Sequence, residues 1–393
     1  MITFDEALAI LLSSARPLPT ERVSLFEANL RVLAEDIVSD MDMPPFDKSA
    51  MDGYACRRAD LAQSTLRIIE EIPAGIWPTQ DILPGTCARI LTGAPVPTGA
   101  DCVIMQEQTT RDGDTVRILE PGTAGNICRK AEDIRSGDCI LRAGERITPA
   151  HIAALAAVGI AHPKVSRRPR VAVLATGDEL VEPSVAPKPG QIRNSNGWQV
   201  CAQVNAMGAV ADYRGIVGDR KDTLRTALEG AMAEADVLMI SGGVSTGDFD
   251  LVPGMLDTLG FTIHFDSIAM QPGRPTLFGR KGNLYCCGLP GNPVATYVGF
   301  ELLFKPFLLR LMGHAYHPLI IEAKLGMSLR RRKANRQTFI PVRLTAPDRA
   351  LPIDYHGSAH INAMTYSDGV IDFPLGTTEI HEGSTVRVRS FRT

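Results

Sequence analysis

The sequence predicts a multidomain protein that combines an α/β domain with separate β regions, and three observations support this fold class. The chain has 393 residues, which is too long for one ordinary domain. From about 168 to 312, fully apolar runs alternate with helical stretches, which is typical of a mostly parallel sheet covered by helices on both faces. The stretches from about 54 to 142 and beyond 317 contain short alternating runs between turn residues, which indicates β domains.

The composition excludes several classes of protein. A hydrophobic content of 45% and a charged content of 22% are typical of a globular protein with several cores. A net charge of −3 and an aromatic content of 6% disfavour a nucleic-acid partner. No apolar run reaches transmembrane length, and the first residues do not resemble a signal peptide. We therefore expect a cytoplasmic protein without membrane contact.

The eight cysteines include no CxxC pair, so we expect reduced thiols rather than a metal site or disulfides. Cys286 and Cys287 lie in an apolar run and are expected to be strand core rather than nucleophiles. The histidines are scattered and form no HExxH motif, so zinc is not predicted.

Three helices are predicted outside the α/β part, at residues 3 to about 15, Leu25 to about Ser39, and Pro149 to about Gly159. Thr3 and Glu6 have the spacing of a capping box at the start of the first helix. Thr148 is a suitable N-cap for the third, with proline in its first turn. The β region between the second and third helices is therefore interpreted as an insertion.

The α/β part is predicted to contain strands near 171–175, 209–216, 237–240, 263–268 and 284–287. Its helices are expected near 197–208, 221–234, 251–259 and 293–312. The last 75 or so residues are expected to form a small β-barrel with strands near 319–325, 338–344, 369–374 and 384–389.

Three predicted strands end in glycine-rich turns, which are Thr176-Gly-Asp-Glu179, Ser241-Gly-Gly-Val-Ser-Thr-Gly-Asp-Phe-Asp250 and Gly288-Leu-Pro-Gly-Asn-Pro293. In an open parallel sheet, ligands bind at the carboxyl ends of the strands. The glycines and hydroxyls of the second turn suit a nest of backbone N–H groups, which predicts a ligand that carries phosphate. Neither a Walker loop nor the GxGxxG dinucleotide pattern is present.

Charged side chains near these turns have both functional and structural interpretations. Asp178 and Glu179 suit Mg²⁺ or ligand hydroxyls, although they are equally consistent with solvated acids in a turn. Arg274 lies in the segment Gln271-Pro-Gly-Arg-Pro275, where prolines would hold a guanidinium rigidly for an oxyanion. Asp52 precedes Gly53 and is consistent with a simple turn former.

Six segments together resemble the molybdopterin molybdenumtransferase family, called MoeA in bacteria and the gephyrin E-domain in animals. In family order they are Pro44-Pro-Phe-Asp-Lys-Ser-Ala-Met-Asp-Gly-Tyr-Ala55, Thr92-Gly-Ala-Pro-Val-Pro97, Thr176-Gly-Asp-Glu-Leu180, Ser241–Asp250, Pro272-Gly-Arg-Pro275 and Gly288–Pro293. Each segment alone is a weak signal, whereas six in register are specific.

The resemblance implies four regions, which are a helical linker region (1–44 and 143–167), an inserted β domain (45–142), an α/β molybdopterin-binding domain (168–315) and a C-terminal β-barrel (316–393). Similar enzymes act in molybdenum cofactor biosynthesis. They insert molybdenum from molybdate into adenylylated molybdopterin and release AMP, with Mg²⁺ as the usual cofactor. The resemblance also implies a homodimer with a shared cleft, and molybdopterin adenylyltransferase and acceptor molybdoenzymes as further partners.

The resemblance also implies roles for single residues. The expected catalytic residues are Asp52, Glu179, Asp219 and Asp250. The expected substrate-binding residues are Thr92, Asp133, Asp178, Gly242, Gly243, Ser245, Arg274, Pro290, Gly291, Pro293, Arg336 and Ser358. The expected Mg²⁺ ligands are Asp178, Glu179 and Asp250. Within these sets, molybdate is assigned to Arg274, Arg336 and Ser358, and the partner subunit is expected to contribute Asp52, Thr92 and Asp133.

Two positions depart from the family pattern. Gln271 stands where the family often has lysine, so we expect one cation fewer in the molybdate pocket. Ala295 stands where a serine usually follows the Gly-Asn-Pro-Val run. The hydroxyl of the next residue, Thr296, would point about 100° away from that position on a helix.

Two other functions remain open from the residues. The α/β domain alone is consistent with an adenylyltransferase that uses ATP to activate molybdopterin, but the inserted β domain and the barrel argue against this. A non-catalytic molybdopterin-binding scaffold is the second alternative. The intact glycine and carboxylate turns argue against it, because a scaffold needs none of them.

Overall fold

The structure is a computed structural model that describes residues 1–244, 251–346, 348–353, 357 and 359–391. In this part of the chain the α-helices are α1 (Phe4–Ser14), α2 (Leu25–Ala28), α3 (Pro149–Ala157), α4 (Asn196–Ala206), α5 (Lys221–Met232), α6 (Val252–Thr258), α7 (Pro293–Gly299) and α8 (Lys305–Leu311). A π-helical turn, Phe300–Phe304, joins α7 to α8. Short 3-10 helices cover Arg58–Asp60, Gln106–Gln108 and Ile361–Tyr366.

The strands of the first half are β1 (Thr20–Arg22), β2 (Ile37–Val38), β3 (Lys48–Ser49), β4 (Gly53–Cys56), β5 (Thr65–Ile72), β6 (Thr86–Ile90), β7 (Cys102–Met105), β8 (Thr109–Asp112), β9 (Thr115–Ile118), β10 (Ile127–Cys128), β11 (Cys139–Leu141), β12 (Lys164–Ser166), β13 (Arg170–Thr176), β14 (Leu180–Val181) and β15 (Ile192–Arg193). Those of the second half are β16 (Val210–Val217), β17 (Val237–Ser241), β18 (Thr262–Phe265), β19 (Met270–Gln271), β20 (Leu277–Lys281), β21 (Leu284–Leu289), β22 (Ile320–Leu325), β23 (Leu329–Arg330), β24 (Gln337–Ala346), β25 (Arg349–Pro352), β26 (Gly369–Phe373), β27 (Glu379–Ile380) and β28 (Thr385–Ser390).

The chain forms two compact units. The first contains Met1–Ala34, Gly144–Thr148 and His162–Thr393, and the second contains Glu35–Ala143 and Pro149–Ala161. The boundaries predicted for the four regions of the chain are not tested by this division and stay predictions.

The second unit is built on a six-stranded half-barrel sheet with the order β7-β4-β6-β5-β9-β8. Its neighbouring strands are antiparallel except for β5 and β6, which are parallel. Side chains of both faces are buried, because Tyr54 and Cys56 belong to one apolar cluster and Ala55, between them, to another. The inserted β region is therefore present.

Helix α1 begins as predicted. Thr3 Oγ1 accepts from the backbone N–H of Glu6 at 3.2 Å, and the Glu6 carboxylate accepts from the N–H of Thr3 at 2.8 Å. This reciprocal capping box satisfies two N–H groups that a helix start would otherwise leave unpaired. Phe4, Ala7 and Leu11 form the buried face of the helix.

The second predicted helix, from Leu25 to about Ser39, is wrong. Helix α2 ends at Ala28, and Leu30 adopts a φ of 65°, which no α-helix contains. From there the backbone pairs with a distant segment, since the N–H groups of Leu30 and Leu33 donate to the carbonyls of Ile147 and Glu145. These tertiary hydrogen bonds outweigh the helical pattern of the apolar residues.

The first unit contains the predicted α/β sheet, with the order β16-β13-β17-β21-β20-β18. The first four strands are parallel, and β20 and β18 are antiparallel to their neighbours. Strand β20 was not predicted. Apolar clusters cover both faces, as expected for a helix-covered sheet. Ala175, Ser241 and Leu289 lie side by side in the register, so the three glycine-rich turns leave the sheet at one edge.

The C-terminal strands close into a barrel. Strands β24, β25, β22, β28 and β26 follow one another, and pairing of β24 with β26 completes the ring. Strand β19 adds to β24 in parallel and so joins the Arg274 segment to the barrel. Strand β25 was not predicted. Together with the half-barrel and the α/β sheet, this barrel confirms the predicted multidomain fold class.

All eight cysteines lie within the described residues, and each is a free thiol. Cys286 and Cys287 are fully buried in β21, and burial raises the pKa of both thiols. This confirms that they are strand core. Among the described helices, none is both long and apolar enough to cross a membrane.

Candidate active site

The turn after β17 requires glycine at two positions. Gly242 and Gly243 have φ values of 93° and 63°. A Cβ atom on Gly242 would lie 2.5 Å from the carbonyl oxygen of Thr176, and one on Gly243 would lie 2.7 Å from Thr176 Oγ1. The turn after β17 therefore packs directly against Thr176, the last residue of β13. The N–H of Gly242 donates to Leu289, so it is not available to a ligand as the nest prediction implied.

Three predicted acids lie on two neighbouring turns. The N–H of Asp219 donates to Asp178 Oδ1 at 3.0 Å, and the N–H of Asp178 donates to Asp219 Oδ2 at 3.4 Å. The Glu179 carboxylate folds over Gly177, whose φ of 146° and lack of a side chain make room for it. All three acids are exposed, so the structure brings them together at the edge of the sheet where the parallel strands end.

These turns enclose the first of two cavities, of about 600 Å³, which we call the glycine cavity. Of the predicted residues, Glu179, Asp219, Gly242, Gly243, Gly291 and Pro293 line it. It is also lined by an unpredicted polar run, Arg193-Asn-Ser-Asn196. This run lies between β15 and α4, and its consecutive polar residues before a helix were the available signal.

Asn196 connects the end of β17, the loop that follows β21 and helix α7. Its Nδ2 donates to Ser241 Oγ at 2.9 Å and to the carbonyl oxygen of Gly291 at 2.8 Å, with Thr296 Oγ1 at 3.3 Å. Thr296 Oγ1 in turn donates to the carbonyl oxygen of Pro290 at 2.6 Å. The Thr296 hydroxyl is therefore committed to the loop beside it and does not replace the family's serine at position 295.

The second cavity, of about 950 Å³, is called here the arginine cavity. Arg274 and Arg336, which the sequence places 62 residues apart, both line it, together with Gln271 and Ala295. Neither guanidinium has a hydrogen-bond or ion-pair partner among the described residues. Two cations in one cavity, with no counter-ion in the described part of the chain, suit a bound oxyanion.

Two further arginines of this cavity, Arg330 and Arg331, were not predicted. Arg330 pairs with Glu379 at 2.6 Å. Arg331 donates to the carbonyl oxygens of Arg336 and Thr377 at 2.6 and 2.7 Å, and desolvation lowers the pKa of its guanidinium. Both are therefore engaged by the barrel itself.

The two cavities adjoin at one loop, Pro290-Gly291-Asn292, called here the junction loop. Asn292 lines both cavities, Gly291 lines the glycine cavity and Pro290 lines the arginine cavity. The predicted site residues of the first unit are thus divided between two neighbouring compartments.

Two of the predicted residues of the second unit, Asp52 and Thr92, contact each other. Asp52 Oδ1 accepts from both the N–H and the hydroxyl of Thr92, each at 2.7 Å. The backbone and side-chain hydrogen bonds from Thr92 lower the pKa of the Asp52 carboxyl, which is therefore ionised at neutral pH. Asp133 is exposed, and its N–H donates to the carbonyl of Met43.

Ser245, Asp250 and Ser358 lie outside the described residues, so their predicted roles stay predictions. Within the described ranges, no three His, Cys, Asp or Glu side chains are arranged to hold a metal ion. The carboxylates of Asp178 and Glu179 are nevertheless the donor type that Mg²⁺ prefers. The predicted Mg²⁺ set also includes Asp250, so the described residues contain only part of it.

The chain is similar to known proteins over most of its length. Three family models match in order, described as "MoeA N-terminal region (domain I and II)" over residues 2–159, "Probable molybdopterin binding domain" over 172–310 and "MoeA C-terminal region (domain IV)" over 323–391. A molybdopterin molybdenumtransferase of Nostoc sp. is 38% identical over 385 residues, covering 94% of this chain and 88% of that protein. The chain belongs to the MoeA family.

Other MoeA relatives are similar to this chain over its full length. The molybdopterin molybdenumtransferase of Bacillus subtilis is 35% identical, covering 100% of this chain and 94% of that protein. A solved MoeA structure from Pyrococcus horikoshii is 31% identical with a TM-score of 0.84, and each chain covers all of the other. The resemblance is confirmed, and with it the transferase class and the assignment to molybdenum cofactor biosynthesis. The adenylyltransferase and scaffold alternatives are not favoured.

Proposed function

We propose that this chain inserts molybdenum from molybdate into adenylylated molybdopterin and releases AMP. The observation that carries the proposal is the pair of adjoining cavities. One is built from strand-end turns, the other contains two arginines that have no partner among the described residues, and Asn292 lines both. A reaction between a large phosphorylated organic substrate and a small oxyanion needs two such compartments side by side.

The glycine cavity is assigned to the molybdopterin end that carries phosphate. It lies at the carboxyl ends of parallel strands, where open α/β sheets bind ligands. Its lining includes glycines, asparagines and serines, which offer hydrogen-bonding groups beside the apolar part of the wall. Glu179 and Asp219 would accept hydrogen bonds from pterin N–H groups.

The arginine cavity is assigned to molybdate, a dianion. Arg274 and Arg336 have no acceptor among the described residues, so an oxyanion would complete their hydrogen bonding. Gln271 lines the same cavity and keeps a hydrogen-bond donor where the family often has lysine. Holding molybdate beside the dithiolene sulfurs raises the effective concentration of the two reactants, which removes much of the entropic barrier.

Mg²⁺ and a second subunit are part of the proposal. Asp178, Glu179 and Asp250 would hold the ion, which when bound would neutralise charge on the departing AMP phosphate. We further propose a homodimer in which Asp52, Thr92 and Asp133 of one copy act on substrate bound by the other. Acceptor molybdoenzymes, molybdopterin adenylyltransferase as a partner and the cytoplasmic location stay predictions.

The proposal is tested with purified protein in a defined reaction. Incubation with adenylylated molybdopterin, molybdate and Mg²⁺ should release AMP and produce a cofactor that activates an apo-molybdoenzyme, and chelation of the metal should stop both. In a parallel reaction, molybdopterin and ATP replace the adenylylated substrate. Formation of adenylylated molybdopterin and pyrophosphate in this second reaction, with no AMP released in the first, would establish the adenylyltransferase instead, and binding without product in either reaction would establish a scaffold.

A further inference from the structure

Two consecutive carbonyl groups of the junction loop are held by buried side chains. The hydroxyl of Thr296 donates to the carbonyl oxygen of Pro290, and the amide of Asn196 donates to that of Gly291. Thr296 is completely buried and Asn196 is 8% exposed. Because a carbonyl oxygen only accepts, the atom of Asn196 that faces Gly291 must be its nitrogen. Both carbonyls are therefore directed into the protein.

The direction of these carbonyls determines the direction of two N–H groups. In a planar trans peptide, the C=O and the N–H of one peptide group point in opposite directions. The carbonyl of Pro290 shares its peptide group with the N–H of Gly291, and the carbonyl of Gly291 shares its own with the N–H of Asn292. Neither N–H has an acceptor among the described residues. Both thus point away from the side-chain atoms of Asn196 and Thr296 that hold the carbonyls, and Gly291 and Asn292 themselves line the glycine cavity.

We infer that Asn196 and Thr296 are positioning residues, which aim the N–H groups of Gly291 and Asn292 at a phosphate oxygen of the bound substrate. The identity of that substrate rests on the proposed function. Two N–H donors fixed in advance stabilise negative charge without any reorganisation of the protein when the ligand binds. Hydrogen bonds to an ionised acceptor are also roughly twice as strong as neutral ones.

The hydroxyl of Thr296 is tested with a matched pair of variants. Thr296→Val keeps the shape of the side chain and removes the 2.6 Å donor to Pro290, which leaves the weaker 3.5 Å contact from Ser241 Oγ, whereas Thr296→Ser keeps the donor. We expect Thr296→Val to weaken equilibrium binding of molybdopterin about tenfold, which corresponds to about 1.4 kcal/mol. The KM for adenylylated molybdopterin should rise alongside, and the KM for molybdate should not change. Thr296→Ser should stay within about twofold of the wild type in each measurement.

Asn196 is tested through pH. In Asn196→Asp an ionised carboxylate would face the carbonyl oxygen of Gly291 and repel it. Protonation restores one donor, so the affinity for molybdopterin should be low at pH 7 and should recover as the pH falls. The charged residues Glu179, Asp219 and Arg193 line the same cavity and are present in both proteins, so the pH profile of the wild type is the control. This variant also decides the inference if Thr296→Val does not fold.

Wild-type affinity in Thr296→Val, or a loss in Asn196→Asp that is the same at every pH, would overturn the inference. An equal loss for molybdate would also overturn it, because it would indicate a general structural defect. A failure of the proposed function can be distinguished from a failure of this inference. If the wild type transfers no molybdenum while both variants lose molybdopterin binding as described, the positioning role stands and the assigned reaction is wrong.

Discussion

At the scale of single residues, the capacity to bind an oxyanion depends on which cations the protein leaves unpaired. Four arginines line the arginine cavity, but they are not equivalent. Arg330 pairs with a glutamate and Arg331 donates to backbone carbonyls, so both guanidinium groups already have partners within the C-terminal region. Arg274 and Arg336 have no such partner among the described residues. Of the four arginines, only these two are expected to contribute to molybdate binding.

Arg274→Ala should raise the KM for molybdate about tenfold, since a hydrogen bond to a charged group contributes on the order of 1.5–3 kcal/mol and Arg274 is exposed. Arg274→Lys should have a smaller effect, because it keeps the charge but loses the planar fork of donors. Steady-state kinetics with varied molybdate measures both. Arg225→Ala, which removes an exposed helix ion pair with Glu229, is the control. An unchanged KM in Arg274→Ala would remove Arg274 from the site.

At the scale of elements, the site depends on how the ends of three parallel strands are spaced. Ser241 in β17 lies beside Ala175 in β13 and Leu289 in β21. The turns that follow are so close that Gly242 has no room for a side chain against Thr176. The glycine is therefore required by the packing of neighbouring strand ends as well as by its φ of 93°.

Gly242→Ala should destabilise the protein by about 1–3 kcal/mol, because it combines a strained φ with a steric conflict. Gly230→Ala is the matched control. Gly230 lies inside α5 with open space around its Cβ position, so the same substitution there should stabilise by about 1 kcal/mol. Denaturant unfolding of the two variants measures both changes. A Gly242→Ala protein as stable as the wild type would show that the two turns can separate without cost.

At the scale of the whole molecule, the proposal divides the site between two copies of the chain. The cavities and their arginines belong to the first compact unit, whereas Asp52 and Thr92 belong to the second. Asp52 is held ionised by its two hydrogen bonds from Thr92 and is suited to accept a hydrogen bond from substrate. A shared site in a two-fold dimer has a consequence that mixing experiments can detect.

Asp52→Ala and Arg274→Ala should each impair transfer when pure, and a mixture should recover part of the rate. After exchange of subunits, about half of the dimers contain one copy of each variant, and one of their two sites has both residues intact. The mixture should therefore reach about a quarter of the wild-type rate. AMP release before and after mixing measures this recovery. A mixture no more active than its components would show that each chain completes its own site.

Much of the site could be predicted from the sequence because its determinants are local. The turn glycines and the acids Asp178 and Glu179 directly follow apolar strands, and parallel strands bring their carboxyl ends together. The capping box of α1 was predictable for the same reason, since Thr3 and Glu6 lie within one turn. Such features depend on neighbouring residues and on a general rule of sheet topology.

Only the tertiary structure decided which distant residues meet. Asn196 and Thr296 are 100 residues apart, and their shared role at the junction loop leaves no periodic signal in the sequence. The same holds for Arg274 and Arg336 in one cavity, and for the pairing of Leu33 with Glu145 that ends the predicted second helix. Local chemistry thus determined the turns at the strand ends. Long-range packing decided how the site is divided and which side chains orient it, because hydrogen bonds across the fold depend on where whole elements lie.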